Sequence, residues 1–221
     1  MSQKMIWFDF GGVLSPPLAN LFESYHERTG IEPGLLKWAI AEVAHDLGQE
    51  PLAPIELGLL TEVEWMESIH GHLGRRRPDL DLSRSEPAFG AQWFEGHVVN
   101  SVLRHAAVEL SLAGFKVGIL TNNVVEWEPH WKQMVDLEGV VDDVVDSCKV
   151  NMRKPDPAIF ALAASRNAVD MADCVLIDDL AENCAAARAE GWAAIQHIDN
   201  VTTVARLGEL VAPEAQLSLS M

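Results

Sequence analysis

Cysteine is scarce in this chain. Its 221 residues include only Cys148, Cys174 and Cys184, and none forms a CxxC pair. The odd count and the spacing argue against a disulfide framework and for free thiols in a reducing compartment. Positive charge is short as well: 16 Lys and Arg face 33 Asp and Glu, a net charge of −17. Such a surface repels nucleic acid and anionic membranes, so any phosphate site has to carry its own local cation. No apolar run approaches the roughly 20 residues that span a bilayer, and no basic stretch followed by an apolar signal segment precedes Asp9. The expectation is a cytoplasmic protein with neither nucleic-acid nor membrane partners. Internal repeats and low-complexity tracts are missing too. What is abundant is apolar side chain, 48% of the residues, enough for one large domain or a core carrying an inserted subdomain.

Five short apolar runs read as strands: "KMIWFDF", "FKVGILT", "DDVVDS", "CVLIDD" and "WAAIQHI". Runs of this kind suit strands buried on both faces of a parallel sheet. Helical patterns separate most of them. Val98, Val99, Val102, Leu103, Ala106, Ala107 and Leu110 share one face, with Gly114 as a stop. "KPDPAIFALAASR" offers Asp156 as an N-cap and Pro157 at the first helical position, and an alanine-rich helix runs to Gly191. Strands alternating with helices predict an α/β fold, a Rossmann-like, doubly wound parallel sheet.

Residues 16–94 break the alternation. Leu18, Leu21, Phe22 and Tyr25 lie on one helical face; Leu36, Ala39, Ile40, Val43, Ala44 and Leu47 form another. "TEVEWMESIHGHL" opens with Thr61 and Glu64 at capping-box spacing and then places Trp65, Met66, Ile69 and Leu73 on its apolar face. The organisation expected is a core of residues 1–15 and 95–221 with an all-helical insertion over 16–94. "GRRRPDLDLSRSEP" reads as a polar loop whose arginines face solvent.

The chemistry-bearing residues collect at strand ends. Asp9 ends the first strand, Thr121 and Asn122 the second, and the pair Asp178–Asp179 follows "CVLI"; Lys154 lies in the loop "CKVNMRKPDP". In an open parallel sheet, ligands bind at the carboxyl ends of strands, where the strand order reverses. Adjacent carboxylates after an apolar run repel one another unless a cation compensates. The set suits a hard cation held by oxygen together with a phosphoryl group bound by hydroxyl, amide and ammonium donors.

"DFGGV", "ILTNN", "RKPDPAIF" and "IDDLAENCAAARAEG" resemble the four ordered motifs of the haloacid dehalogenase superfamily, and "ELGLLTEVEW" resembles a cap segment of its phosphatase-like members. The insertion lies where that superfamily carries its subclass I cap. The resemblance implies a Mg²⁺-dependent hydrolase, a phosphatase of small phosphorylated metabolites. Asp9 is then the nucleophile, forming an aspartyl-phosphate, and Lys154 offsets its charge. Thr121, the Asn122 backbone and Gly12 hold the phosphoryl oxygens. Asp9, the Gly11 carbonyl and Asp179 bind the metal, with Asp178 acting directly or through water, while Asn183 braces the loop. Gly11 and Gly12 let backbone approach the phosphate.

One position departs from the pattern. Most phosphatases of the family carry a second aspartate, a general acid–base, two residues after the nucleophile; here that residue is Gly11. His97, Glu126 or His130 are candidate substitutes. A substrate with a good leaving group, or weak activity, are the other outcomes. Alternatives are a 2-haloacid dehalogenase-type hydrolase, which also lacks that aspartate but leaves the acid pair without a cation, and a catalytically silent binder. A receiver domain has its acid pair first rather than last. Trp38 and Trp65 read as core, Trp93 is open, and Trp127 is the aromatic expected at the crevice. Hinges for a closing cap fall near Ser15–Pro17 and Phe94–His97.

Overall fold

The computed structural model describes residues 4–211; the last part of the expected core, residues 212–221, lies outside them. Strand β1 spans Met5–Phe8, and helices α1 (Leu18–Thr29), α2 (Pro33–Asp46), α3 (Ala53–Glu56), α4 (Glu62–Arg76) and α5 (Phe89–Phe94) follow it. The chain continues through α6 (Ser101–Leu112), β2 (Lys116–Thr121), α7 (Glu128–Val135), β3 (Asp143–Asp146), α8 (Ser147–Val150) and α9 (Pro157–Arg166). It closes with β4 (Cys174–Asp178), α10 (Ala181–Ala189), β5 (Ala193–Gln196) and α11 (Asn200–Val211). No helix among the described residues is long and apolar enough to cross a membrane.

The five strands form one parallel sheet in the order β3-β2-β1-β4-β5. The chain fills one side of β1, then crosses to the other, so the order reverses at β1. Period-two alternation explains why β1 is apolar throughout. Ile6 and Phe8 join the cluster beneath α6 and α11, with Leu103, Ala107 and Leu207. Met5 and Trp7 join the opposite cluster, with Ile159 and Phe160 of α9 and Ala187 of α10. Helices on both faces make the sheet doubly wound, as the strand pattern predicts.

Two boundaries differ from expectation. The first strand stops at Phe8 instead of running to Phe10, because the Asp9 carboxylate accepts the Phe10 N–H at 2.7 Å and turns the chain into a single wide turn over Phe10–Leu14. The next helix begins at Ser101 and not at Val98, since Asn100 caps it and its amide also donates to the Val13 carbonyl at 3.0 Å; Val98 is exposed.

The segment between β1 and β2 is helical, as its pattern predicts. Thr61 and Glu64 form the capping box of α4, whose Trp65, Met66, Ile69 and Leu73 are buried. Leu18 and Leu47, placed on apolar faces by spacing, are exposed. Helix α4 continues through Arg76, so the polar loop begins at Arg77 and not at Gly74; there Arg77 pairs with Asp79 at 2.9 Å in solvent. Trp38 is half-buried, packed at the core's edge beneath the Arg76 guanidinium, 4.2 Å from its ring.

Candidate active site

The sheet brings Asp9, Thr121 and Asp178 to one edge, because the register pairs Phe8 with both Ile119 and Ile177. Asp9 and Asp178 each follow an apolar run at the carboxyl end of a strand, and both are buried. Asp9, Asp178 and Asp179 each offer a carboxylate oxygen within 4.8 Å of the others.

Lys154 ties two of them together. Its Nζ donates to Asp178 Oδ2 at 2.6 Å, to the Leu120 carbonyl at 2.8 Å, and lies 3.0 Å from Asp9 Oδ1. The ammonium is buried, 1% exposed. Burial alone lowers a lysine pKa; the fields of Asp178 and Asp9 outweigh it and raise this one, so Lys154 stays charged. Asn122 fixes the lysine's backbone at two points: its amide donates to the Lys154 carbonyl at 2.9 Å and its oxygen accepts the Lys154 N–H at 2.8 Å. The Asn122 side chain is therefore a brace, which leaves its backbone for a ligand.

Both oxygens of Asp178 are occupied. Oδ1 accepts the Leu180 N–H at 2.9 Å, Asn183 Nδ2 reaches both oxygens at 3.0 and 3.1 Å, and Lys154 holds Oδ2. Asp178 thus anchors Lys154, and Asn183 anchors Asp178. Asp179 points the other way, against Gly12. A Cβ on Gly12 would stand 2.5 Å from Asp179 Oδ2, and Gly12 has φ +70, so that glycine is required twice over. Gly11 is not: its φ is −63 and no atom lies within 4 Å of the place its Cβ would take. The contact that requires a glycine at 12 is with Asp179.

Three carboxylates face one ammonium, and Asp9 and Asp179 become weaker acids there. Burial, then the fields of Asp178 and Asp179, push the Asp9 carboxyl up to about 7 against the pull of Lys154. Burial and the Asp178 charge raise Asp179 to about 6. An all-oxygen cluster short of positive charge fits a hard divalent cation. The Thr121 hydroxyl is buried with no hydrogen-bond partner among the described residues, and Thr121 does not itself line the cavity above the cluster.

A cavity of about 190 Å³ opens above this cluster. Asp9, Gly11, Asn122, Lys154 and Asp179 line its polar end; Trp65, Trp93 and Trp127 line its walls. Trp65 is thus both core and wall, and Trp127 stands at the crevice as expected. His97, Glu126 and His130 do not line it. His97 and His130 border a separate pocket beside Phe94, and Glu126 Oε1 accepts the Glu62 N–H at 3.3 Å. The lining acid that sequence reasoning missed is Glu56, whose carboxylate binds Arg153 at 2.7 Å and whose carbonyl accepts the Ser147 hydroxyl at 2.7 Å. Burial raises its pKa while Arg153 opposes the rise. Its signal lay in "ELGLLTEVEW" and in the arginine beside Lys154, but nothing in the sequence pairs the two.

Known proteins share this architecture. The chain is 24% identical over 216 residues to bifunctional epoxide hydrolase 2 of Sus scrofa, an alignment covering 94% of this chain and 38% of that protein. It therefore spans about two fifths of the length of this curated relative. Among solved structures it is similar to a HAD family enzyme of Bacteroides thetaiotaomicron in complex with magnesium and inorganic phosphate, with a TM-score of 0.62 and 19% identity over 88% of this chain and 93% of that one. A dehalogenase crystallised as an intermediate complex superposes with a TM-score of 0.68 at 15% identity, covering 95% of this chain and 97% of that one. The family model that matches residues 4–191 is that of the haloacid dehalogenase-like hydrolases, and with that match, over this sheet and this edge of acids, the chain belongs to that family.

Proposed function

We propose that this chain is a Mg²⁺-dependent phosphatase of small phosphorylated molecules that works through an aspartyl-phosphate on Asp9. The observation that carries the reading is the cluster of Asp9, Asp178 and Asp179 around a buried Lys154. A site built to displace halide from carbon has no use for this much uncompensated negative charge; a phosphoryl site with a divalent ion does. The same fold holds magnesium and phosphate in the Bacteroides enzyme.

Asp9, Asp179 and the Gly11 carbonyl would hold the metal, which supplies charge neutralisation between the carboxylate nucleophile and the phosphoryl oxygens. Lys154 holds Asp9 in position and offsets its charge. The Thr121 hydroxyl and the Asn122 N–H receive the phosphoryl oxygens, while the Gly12 N–H, expected to join them, is held by the Ser15 hydroxyl at 3.0 Å; catalysis is positioning plus electrostatics. Asp178 keeps Lys154 charged and aligned.

The helical insertion, residues 16–94, serves as a cap over the core of residues 1–15 and 95–221, with hinges near Ser15–Pro17 and Phe94–His97. Glu56–Arg153 and the bond from Trp127 Nε1 to Glu62 at 2.7 Å tie it shut over the cavity, which excludes water from the chemical step.

A specific observation favours a second reading, a 2-haloacid dehalogenase-type hydrolase: Gly11 offers no acid–base group and the cavity walls are apolar. One assay separates the two. Phosphate release from phosphate esters with and without Mg²⁺ is expected to be strictly metal-dependent and lost in Asp9→Asn. Halide release from 2-haloacids, with no metal requirement, would overturn the phosphatase reading.

A further inference from the structure

We propose that the substrate of this site is a small aryl monophosphate, a single-ring phenol ester, and not a sugar or other polyol phosphate. The proposal rests on the phosphatase reading above and adds the chemical class of the leaving group. Two independent features of the structure converge on it.

The first is the wall of the cavity. Away from its acidic end six aromatic residues, Phe22, Trp65, Phe89, Trp93, Phe94 and Trp127, line it among aliphatic side chains such as Leu21, Ile40 and Ile55. Phe89 stacks on both Trp93 and Trp127, with ring centroids 4.9 and 5.5 Å apart. Several polar groups on the lining are already bonded within the protein. Glu56 holds Arg153, Trp127 Nε1 donates to Glu62, and the Ser15 hydroxyl accepts the Gly12 N–H and donates to the Pro16 carbonyl. A polyol placed against these rings would bury hydroxyls without partners, which is unfavourable. An aromatic ring stacks on such a wall. The volume of about 190 Å³ is on the scale of one substituted ring, since an apolar cavity of roughly 150 Å³ accepts benzene.

The second feature is the missing proton donor. Gly11 has ordinary backbone angles and open space where a side chain would go, so packing does not exclude an acid there. His97, Glu126 and His130 stand off the cavity, and Glu56 is committed to Arg153. A leaving oxygen in this site therefore departs without a proton from the protein. A phenol does this readily, ionising near pKa ~10 as tyrosine does, whereas an alkanol, about as weak an acid as water, does not.

The step balances without an acid. A carboxylate oxygen of Asp9 attacks phosphorus, the P–O(aryl) bond breaks, and its electron pair leaves on the aryl oxide, which takes a proton from water after departure. Water then attacks phosphorus and the P–O(Asp9) bond breaks. Asp9 returns as a carboxylate, the water oxygen stays on inorganic phosphate, and the proton goes to solvent.

The test uses the whole chain with Mg²⁺. Turnover is measured on ring-substituted phenyl phosphates of graded leaving-group pKa, on glycerol 3-phosphate, glucose 6-phosphate and acetyl phosphate. Binding is measured separately by calorimetry with phenylphosphonate and methylphosphonate. We expect kcat/KM for phenyl phosphate at least ~100-fold above that for the polyol phosphates, a steep fall with rising phenol pKa, and at least ~10-fold tighter phenylphosphonate. Gly11→Asp should flatten the dependence on leaving-group pKa, recovering part of the roughly 10²–10⁴ that a general acid supplies. Equal efficiency on polyol and aryl phosphates, or equal affinity for the two phosphonates, overturns this proposal alone. Failure of every ester and of acetyl phosphate overturns the phosphatase reading and this proposal with it.

Discussion

Lys154 Nζ lies 2.6 Å from Asp178 Oδ2, with both side chains shut away from solvent. That bond joins the loop before α9 to the end of β4, and it reaches Asp9 at 3.0 Å on the central strand. One buried cation therefore pairs with two acids of the site. Removing it leaves two buried carboxylates without a counter-charge, a loss of about 3–5 kcal/mol. Lys154→Met should abolish turnover and lower the melting temperature by roughly 10 °C. Full phosphatase activity in a purified, folded Lys154→Met would remove the lysine from the mechanism.

The two glycines Gly11 and Gly12 predict opposite outcomes. Gly12→Ala places a methyl group 2.5 Å from Asp179 Oδ2 on a backbone at φ +70, so Asp179 has to move. Mg²⁺ affinity by calorimetry should fall by about 10–100-fold, the usual cost of disturbing a ligand's support. Gly11→Ala meets nothing within 4 Å and should change stability by less than about 1 kcal/mol. Equal effects from both would mean that Asp179 is not held against Gly12.

Much of this site can be read from the sequence, and the reason is physical. An apolar run between two helical layers has to end where a carboxylate begins, so Asp9, Asp178 and Asp179 announce both the strand ends and the site. Lys154 is legible through its Pro and Asp neighbours, which start α9 with Asp156 accepting the Ala158 N–H at 2.9 Å. What stayed hidden depends on contacts between distant segments. The pairing of Glu56 with Arg153 joins α3 to the loop after α8, ninety-seven residues away. The division of labour within the acid pair also depends on tertiary partners: Asn183 and Lys154 fill the oxygens of Asp178. The turn at Phe10–Leu14 was hidden because a local bond from Asp9 overrides the strand pattern.

Metal-free protein should lose stability as pH rises through the acidic and neutral range. Folding raises Asp9 from 3.8 to about 7 and Asp179 from 3.8 to about 6. Between these values the native state binds more protons than the unfolded chain, so ΔG of unfolding falls with increasing pH. The loss begins above pH ~4 and is complete only about one unit above pH ~7, once Asp9 is fully ionised in the native state. Thermal melts in chelator should show it, Asp9→Asn should reduce the slope, and Mg²⁺ should stabilise more at pH 7.5 than at pH 5. A metal-free melting temperature that rises over this range, or equal Mg²⁺ stabilisation at both pH values, would contradict the charge assignment.

The claim on which the account depends most is that Asp9 itself carries the phosphoryl group. Acid-quenching the protein during turnover of phenyl phosphate, followed by borohydride reduction and peptide mass spectrometry, reads this directly. The account predicts a reducible acyl phosphate on the peptide containing Asp9, formed only with Mg²⁺ and absent from Asp9→Asn. Phosphate released by an Asp9→Asn protein at the wild-type rate, or phosphoryl found on another residue, would contradict it.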